Sequence, residues 1–519
     1  MVNIYNKSKK FNKDYIFIFF IGIFTSFSLP PYNYWLINFF TFSILFFILH
    51  KNLNNSFKSH FIYGYCFGFG YFISSLYWIP FSLLYDENFK FLTPIAIIVI
   101  PLFLSFFYAI AFSLSRMFFR SNNIFANVLI FSLFLGIVEF LRGNILSGFP
   151  WNLFIYSLSK SINIIQINSI IGVYAFNTIL ITIFSSPAIL YLDRQKKNIY
   201  FFSSILGILL IFYLFGLFKL KNFNNLDDHI LSSNIKVLST SIPIERFYKQ
   251  IDDEKILIKL IKQSDPNLNE NTLFIWPEGV IPNLNLKDLR NEYNYIFEKS
   301  FSDKHIIILG INDEEKIENI KKYYNSLSII DNKANVLYKY YKNKLVPFGE
   351  FIPMENLLSK LGFKSLTNNY NSYSAGSERN LFSFKKDIEV KILPLICYEI
   401  IYSGKLSKDN EFTFIVNISE DGWFGNSIGP SQHFVHTIFR SIEYGKYTLR
   451  SANNGISAII DPTGLIIDKL NMNKEGVISI NQIKKVDKTI FSKFGNKIYF
   501  LIILLYIFLI FSFKKSENE

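Results

Sequence analysis

The sequence predicts a multi-span α-helical membrane domain joined to an α/β domain. Three observations predict it. Half of the 519 residues are hydrophobic, with 59 Phe, which is too apolar for one water-soluble core. The apolar residues concentrate in 1–218 and in a last run at 498–513. Between them, 219–497 has an ordinary globular composition in which short β-rich runs alternate with helical ones, the pattern of an α/β domain.

The membrane part comes first. A span needs about 20 predominantly apolar residues. Seven candidates precede the polar domain, at 14–31, 34–50, 61–84, 92–115, 124–141, 169–192 and 199–218, and an eighth lies at 498–513 between Lys497 and Lys514. Lys7, Lys9, Lys10 and Lys13 precede the first, as in a signal peptide. No small-residue cleavage site follows and more spans come directly after, so this helix is read as retained. Those four lysines fall on one side with Lys51, Lys58, Arg116, Arg120, Arg194, Lys196, Lys197, Lys514 and Lys515. The opposite short loops carry Lys90, Arg142 and Lys160. The positive-inside rule then puts both termini in the cytoplasm and delivers the polar domain to the outer face. The expected organisation is a membrane domain of seven spans over 1–218, an extracytoplasmic domain over 219–497, and an eighth span with a cytoplasmic tail over 498–519. The net charge of +13 follows this topology, with lysines beside apolar segments or scattered, so no nucleic-acid partner is expected.

One intramembrane stretch is charged. In VEFLRGNILSGFPWN, 138–152, Glu139 and Arg142 are three apart on one helix face. Charges at such depth are costly unless paired or facing water. The pair reads as a structural cap of the span, with a polar entry to a lipid-headgroup site as the alternative.

In the polar domain, β-rich runs recur at 271–278, 305–312, 325–331, 389–399, 412–419 and 456–464. The segment 430–450 has apolar residues at 434, 438 and 442, a helical spacing, and Pro430 suits its first turn. The Asn/Lys-rich stretch 219–234 reads as the join between membrane and domain. In α/β sheets chemistry collects just beyond strand ends, and ionisable residues stand there. FIWPEG places Glu278 after an apolar run and Pro277. YYKNKLVPFGEFIP places Lys342 after aromatic residues and Glu350 beyond Pro347. ILPLICYEII places Cys397 and Glu399 at the end of an apolar run.

A buried cysteine is usually an inert small hydrophobe, and Cys66, in GYCFGFG, keeps that reading; the two are not expected to pair. Cys397 has different company. A Cys, a Lys and a Glu make a workable acyl-transfer set: a thiolate nucleophile, a carboxylate to take and return its proton, and an ammonium to stabilise an oxyanion. His433 and His436 are three apart, but no carboxylate or third His completes a metal site, so structural roles are expected, with no metal and no cofactor. There is no phosphate-cradling glycine loop and no nucleophile-elbow serine.

In order and context, Glu278, Lys342 and Cys397 resemble the Glu–Lys–Cys triad of the nitrilase (carbon–nitrogen hydrolase) superfamily. The flanking spans narrow the resemblance to the apolipoprotein N-acyltransferases, with further matches in LRGNILSGFPWN, WFGNSIGPSQHF (423–434) and LRSANNGISAIIDPTG (449–464). The resemblance covers nearly the whole chain. It implies a four-layer αββα sandwich for the polar domain. It also implies transfer of an acyl chain from the sn-1 position of a phospholipid, typically phosphatidylethanolamine, through a thioester on Cys397. The acceptor would be the α-amino group of the diacylglyceryl-cysteine that begins an apolipoprotein, in the bacterial inner membrane with the site on the periplasmic side. Glu278 would be general base and acid, and Lys342 the oxyanion stabiliser. Glu350, Tyr398 and Glu399 match residues the family needs around the triad: the two carboxylates would orient Lys342, and the Tyr398 N–H would be a second oxyanion donor. Trp423 matches an aromatic beside the site that contacts lipid. A monomer is expected.

The chain departs from the family pattern at three places. Ser239-Thr240-Ser241 stands for the usual Gln-x-Asn, Phe247 for a Trp, and Glu420 for the Asn of Ser-Asn-Asp. In FIPMENLLSKLGFKSL, 351–366, Phe351, Leu357, Leu358, Leu361 and Phe363 alternate with Lys360 and Lys364. This predicts an amphipathic lid at the membrane interface, against the plainer reading of a surface helix. Two rival functions are a membrane-tethered amidase, in which water discharges the thioester, and a transporter with an extracytoplasmic binding domain. The amidase shares the triad. The transporter predicts charges in several spans, and few are present.

Overall fold

The computed structural model describes residues 2–87, 89–120, 123–193, 195–249, 251–353, 372–377, 379–384, 390–406 and 411–515. The chain divides into two compact units. Met1–Pro80, Phe91–Lys221 and Thr489–Glu519 form one, and Phe81–Lys90 with Asn222–Lys488 form the other.

The first unit is helical. Helices Val2–Ser26, Ile37–Lys51, Phe57–Leu76, Thr93–Phe118, Ile124–Arg142, Asn168–Ser185 with Pro187–Leu192, Lys196–Asn224 and Lys497–Lys515 occupy the eight apolar stretches. Among the described residues, four are long and apolar enough to cross a membrane: Lys90–Phe118, Ile124–Arg142, Asn168–Leu192 and Lys196–Asn224. The bent pair Phe57–Leu76 and Ile79–Tyr85 makes a fifth if it is one span. Ile37–Lys51, at 15 residues, rises about 22 Å at 1.5 Å per residue, short of a hydrocarbon core of about 30 Å. Small residues let these helices touch backbone to backbone: a Cβ on Gly64 would fall 2.4 Å from the Tyr108 carbonyl oxygen, and one on Gly70 would fall 2.0 Å from that of Phe19.

Glu139 and Arg142 are both buried. Arg142 Nε donates to Glu139 at 3.0 Å, Arg142 also donates to the Phe149 carbonyl, and Tyr108 donates to Glu139. The guanidinium stacks over Phe72 at 5.3 Å. With these partners in place the pair acts as a structural pin, the first of the two readings its spacing allows.

The second unit is a four-layer αββα sandwich, as the resemblance implies. One sheet has the order β12-β1-β2-β3-β4-β5 and the other β11-β10-β9-β8-β7-β6. The strands are β1 Asp228–Ser239, β2 Thr272–Ile275, β3 His305–Ile317, β4 Ile320–Ile330, β5 Val336–Tyr341, β6 Phe382–Phe384, β7 Val390–Ile396, β8 Phe414–Glu420, β9 Tyr447–Asn453, β10 Ser457–Ile460, β11 Ile466–Leu470 and β12 Gly476–Lys484. Each sheet has three parallel strands at its centre, β1-β2-β3 and β7-β8-β9, with antiparallel strands outside. β2 and β8 are buried throughout and β7 over all but its first two residues, which is why these strands read as apolar runs. Helices Asp253–Ser264 and Leu286–Ser300 cover the first sheet, with Leu257, Leu260, Leu289 and Phe297 packed on Phe274, Trp276 and Leu309. Helix Gly429–Tyr444 covers the second. The sheets meet face to face, β1 against β9 and β10, and β4 against β7.

Two sequence expectations change. The helix read over 430–450 stops at Tyr444, because Gly445 takes the left-handed conformation (φ 63°) at its C-terminus, and β9 follows at once. The Asn/Lys-rich stretch 219–234 is no loose join: helix Lys196–Asn224 runs into it and β1 begins at Asp228.

Candidate active site

β2 and β7 are central parallel strands, one in each facing sheet; Glu278 lies three residues beyond the end of β2, and Cys397 directly follows β7. After β2, Trp276 N still bonds to Ile308 at 2.8 Å and Gly310 N to the Pro277 carbonyl at 3.2 Å. The ladder therefore holds the chain up to Glu278, and Gly279 turns it away at φ 56°. After β7 the chain turns at Cys397 itself, whose φ of 48° is a sterically costly value for a side-chain-bearing residue. The carbonyl of Cys397 lies 3.3 Å from His433 Nε2 and 3.4 Å from Asn417 Nδ2. Lys342 directly follows β5, its N–H bonded to the Asn325 carbonyl of β4 at 2.9 Å.

These three strand ends bring Glu278, Lys342 and Cys397 together, all buried. Lys342 Nζ is 3.3 Å from Glu278 Oε1 and 2.9 Å from Glu350 Oε1. Asn325 Nδ2 donates to both carboxylates, at 2.7 Å and 2.9 Å. The Glu420 N–H donates to Glu278 Oε2 at 2.9 Å, and the Val346 N–H to Glu350 Oε2 at 2.8 Å. Burial alone would strip the charge from Lys342, but the carboxylates of Glu278 and Glu350 outweigh it and hold the amine well above its ordinary value. The Cys397 thiol shifts up as well: burial and then the Glu278 carboxylate push it up, and Lys342 opposes without prevailing. A thiol shifted in this direction would need a base to take its proton before it could act as a nucleophile.

Glu350 sits where it orients Lys342. Glu399 does not, contrary to the expectation for it. Its Oε1 accepts from Tyr340 Oη at 2.6 Å, Asn343 N at 2.9 Å and Lys344 N at 3.1 Å, and pairs with Arg379 at 3.0 Å. Its Oε2 accepts from Ile396 N at 2.9 Å. Glu399 thus ties the loop after Lys342 to the residue before Cys397 and acts on both through the backbone. Tyr398 is buried in the same turn.

Trp423 is half-buried, with ring centroids of Phe247, Tyr248 and Tyr85 at 4.9, 6.2 and 6.4 Å. Tyr85 Oη also donates to the Gly422 carbonyl at 3.2 Å. Phe247, one of the three departures, is therefore the nearest of these rings to Trp423. Ser239 is buried near the end of β1. Leu357 and Leu361 lie outside the described residues.

Beneath Cys397, Asp421 bonds to His433 Nδ1 at 2.9 Å and to Arg450 at 2.8 Å. Burial opposes its charge, but Arg450 and then His433 hold its carboxyl well below the usual range. Sequence reasoning missed Asn325, Arg379, Arg246 and Gly310. Gly310 and Asn325 stood in runs that the sequence singled out, 305–312 and 325–331, and there they were read as strand.

Residues 21–186 match the apolipoprotein N-acyltransferase N-terminal domain, and residues 300–487 match carbon–nitrogen hydrolase; the second match includes Lys342, Glu350 and Cys397 and begins after Glu278. An apolipoprotein N-acyltransferase of Rickettsia prowazekii is 36% identical, over 90% of this chain and 93% of that one. One of Rhodopseudomonas palustris is 31% identical, over 91% and 90%. Among solved structures, an amidase of the nitrilase superfamily from Nesterenkonia AN1 is similar at a TM-score of 0.32 and 10% identity, covering 50% of this chain and 93% of that one. The domain is of the nitrilase-like carbon–nitrogen hydrolase fold, and the N-terminal match does not favour reading the chain as a tethered amidase. Matched over about nine-tenths of its length at this level, with a membrane-type N-terminal half and a hydrolase-type C-terminal half, the chain is an integral membrane enzyme that belongs to the apolipoprotein N-acyltransferase family.

Proposed function

We propose that this enzyme N-acylates lipoproteins by a two-step exchange on Cys397. In the first step Glu278 takes the thiol proton as Sγ attacks the sn-1 ester of a phospholipid, with phosphatidylethanolamine the expected donor. The C–S bond forms, the ester C–O bond breaks, and Glu278 returns the proton to the departing lysophospholipid oxygen. In the second step the α-amino nitrogen of a diacylglyceryl-cysteine attacks the thioester. The N–C bond forms, the C–S bond breaks, and the amine proton passes through Glu278 to the sulfur. Both steps place negative charge on a carbonyl oxygen, which Lys342 and the Tyr398 N–H would receive.

The observation that carries this reading is the buried charge group of Glu278, Lys342 and Glu350 acting on a protonated Cys397. Glu350 keeps Lys342 charged, Glu399 holds the loops that carry Lys342 and Cys397, and Trp423 with the segment around Leu357 and Leu361 would meet lipid. In the bilayer, residues 1–218 would supply seven spans, 219–497 the periplasmic catalytic domain, and 498–519 the eighth span and cytoplasmic tail. The setting is the bacterial inner membrane, with the protein a monomer.

Intact-mass measurement of purified protein incubated with phosphatidylethanolamine alone tests the reading. The expected result is one acyl adduct, lost in Cys397→Ala and discharged by a diacylated peptide but not by water. Discharge by water at the same rate would overturn it.

A further inference from the structure

Arg246 and Glu420 form an ion pair with side chains 0% and 1% exposed. A buried carboxylate is tolerated only when its oxygens are satisfied, and those of Glu420 are. Oε2 accepts from Arg246 Nη2 and from Asn453 Nδ2, the latter at 2.7 Å. Oε1 accepts from Gly422 N at 2.7 Å. Arg246 directs its other donors at three carbonyls: Ile242 at 3.2 Å, Pro243 at 3.0 Å, and Gly279 at 3.1 Å and 2.9 Å.

Two of these partners bracket one side chain. Gly279 is the residue after Glu278, and the backbone N–H of Glu420 is the donor to Glu278 Oε2. The pair therefore fixes the chain on which the carboxylate is mounted and also the N–H that the carboxylate accepts. The Arg246 guanidinium lies 4.5 Å over the Phe247 ring, which in turn packs on Trp423.

We propose that Arg246 and Glu420 are positioning residues that hold Glu278 for proton transfer. This rests on reading Glu278 as the proton acceptor. Glu420 thereby gains a role at a position where the family pattern has a neutral residue, and Arg246 supplies the charge that makes it tolerable.

The test uses the full chain in detergent with phosphatidylethanolamine, following acylation of Cys397 in a single turnover across pH, for Glu420→Gln, Arg246→Met and Arg246→Lys. Glu420→Gln and Arg246→Met are expected to slow acylation about 100-fold, the scale of a small misplacement of a reacting group. They should also move the acid limb of the profile to higher pH, a readout that loss of folded protein alone leaves in place. Arg246→Lys keeps a charge against Glu420, but one ammonium cannot replace a planar fork that bridges two acceptors; it should move rate and limb in the same direction by less. If the first two variants fail to fold, Arg246→Lys decides alone. The parent's rate and acid limb in the folded variants, or a lowered melting temperature with an unmoved limb, would overturn the proposal. Glu278→Gln separates the two readings: acylation at the parent's rate removes Glu278 as the base, whereas an inactive Glu278→Gln beside unmoved pair variants removes only the positioning role.

Discussion

Lys342 Nζ lies nearer to Glu350 than to Glu278, 2.9 Å against 3.3 Å. One buried ammonium is thus shared between two carboxylates. If Glu350 serves to keep Lys342 charged, Glu350→Gln keeps the shape and removes the support, so burial should then draw the amine toward neutrality. Formation of the acyl-enzyme is expected to fall about 10- to 100-fold, with the alkaline limb of its pH profile moving to lower pH. Single-turnover mass measurement across pH checks both.

Cys397 and Glu278 predict opposite outcomes for two reactions of one sulfur. The Glu278 carboxylate raises the thiol's proton affinity, so removing its charge should lower it. In Glu278→Gln, alkylation by iodoacetamide, which follows the thiolate, is expected to reach its midpoint at lower pH than in the parent. Acyl transfer should be lost in the same variant, because no base remains. Lys342→Met should move the alkylation midpoint up, since Lys342 is the group that opposes the rise. An alkylation midpoint that rises in Glu278→Gln contradicts the electrostatic ordering.

Glu399 is predicted to matter for integrity before chemistry. It gathers three backbone N–H groups, Tyr340 and Arg379. Glu399→Gln leaves Arg379 buried without its counter-charge, a class of change that costs about 3–5 kcal/mol. A large drop in melting temperature is expected, together with faster alkylation of Cys397 as the turn loosens. A variant with the parent's melting temperature would mean that Arg379 finds another partner.

Glu278, Lys342 and Cys397 were legible as candidates because each follows a recognisable run. Cys397 follows an apolar strand, Glu278 follows Trp276-Pro277, and Lys342 follows a run of tyrosines; a strand's apolar face is a local signal. What holds them is not local. Asn325 joins two carboxylates 47 and 25 residues away in the chain, and Arg246 reaches Glu420 across 174. Neither has a neighbour in sequence that announces it. β1 was hidden for a different reason: it starts in an Asn/Lys-rich stretch and its first residues are exposed, so its apolar half alone carried no strand-length signal. Glu399 stands out in the sequence beside Cys397, yet the chain order could not say which of its neighbours it would bond.

The segment 351–366 yields a prediction from sequence alone. Leu357→Asp and Leu361→Asp put charges among the apolar residues of a stretch expected to lie at the interface. Turnover with phosphatidylethanolamine in vesicles should fall in both, while acylation by a water-soluble thioester or ester substrate should not. Unchanged turnover on vesicles would sink the lid reading.

Gly310, on β3, is predicted to be as sensitive as a residue of the triad. A Cβ there would fall 2.5 Å from the Glu278 Cα and 2.9 Å from the Gly279 nitrogen. Both are backbone atoms held by the β2–β3 ladder, so neither gives way by a side-chain rotation, and the strain must move Glu278. Its carboxylate would then leave the positions set by Asn325, Lys342 and the Glu420 N–H. Gly310→Ala is expected to fold, because the added methyl is small, yet to form acyl-enzyme about 100-fold more slowly. Cys397 should still be alkylated, since the thiol's own turn is untouched. Loss of both activities together would point to collapse of the sheet, and retention of both would show that Glu278 tolerates a shift of its backbone.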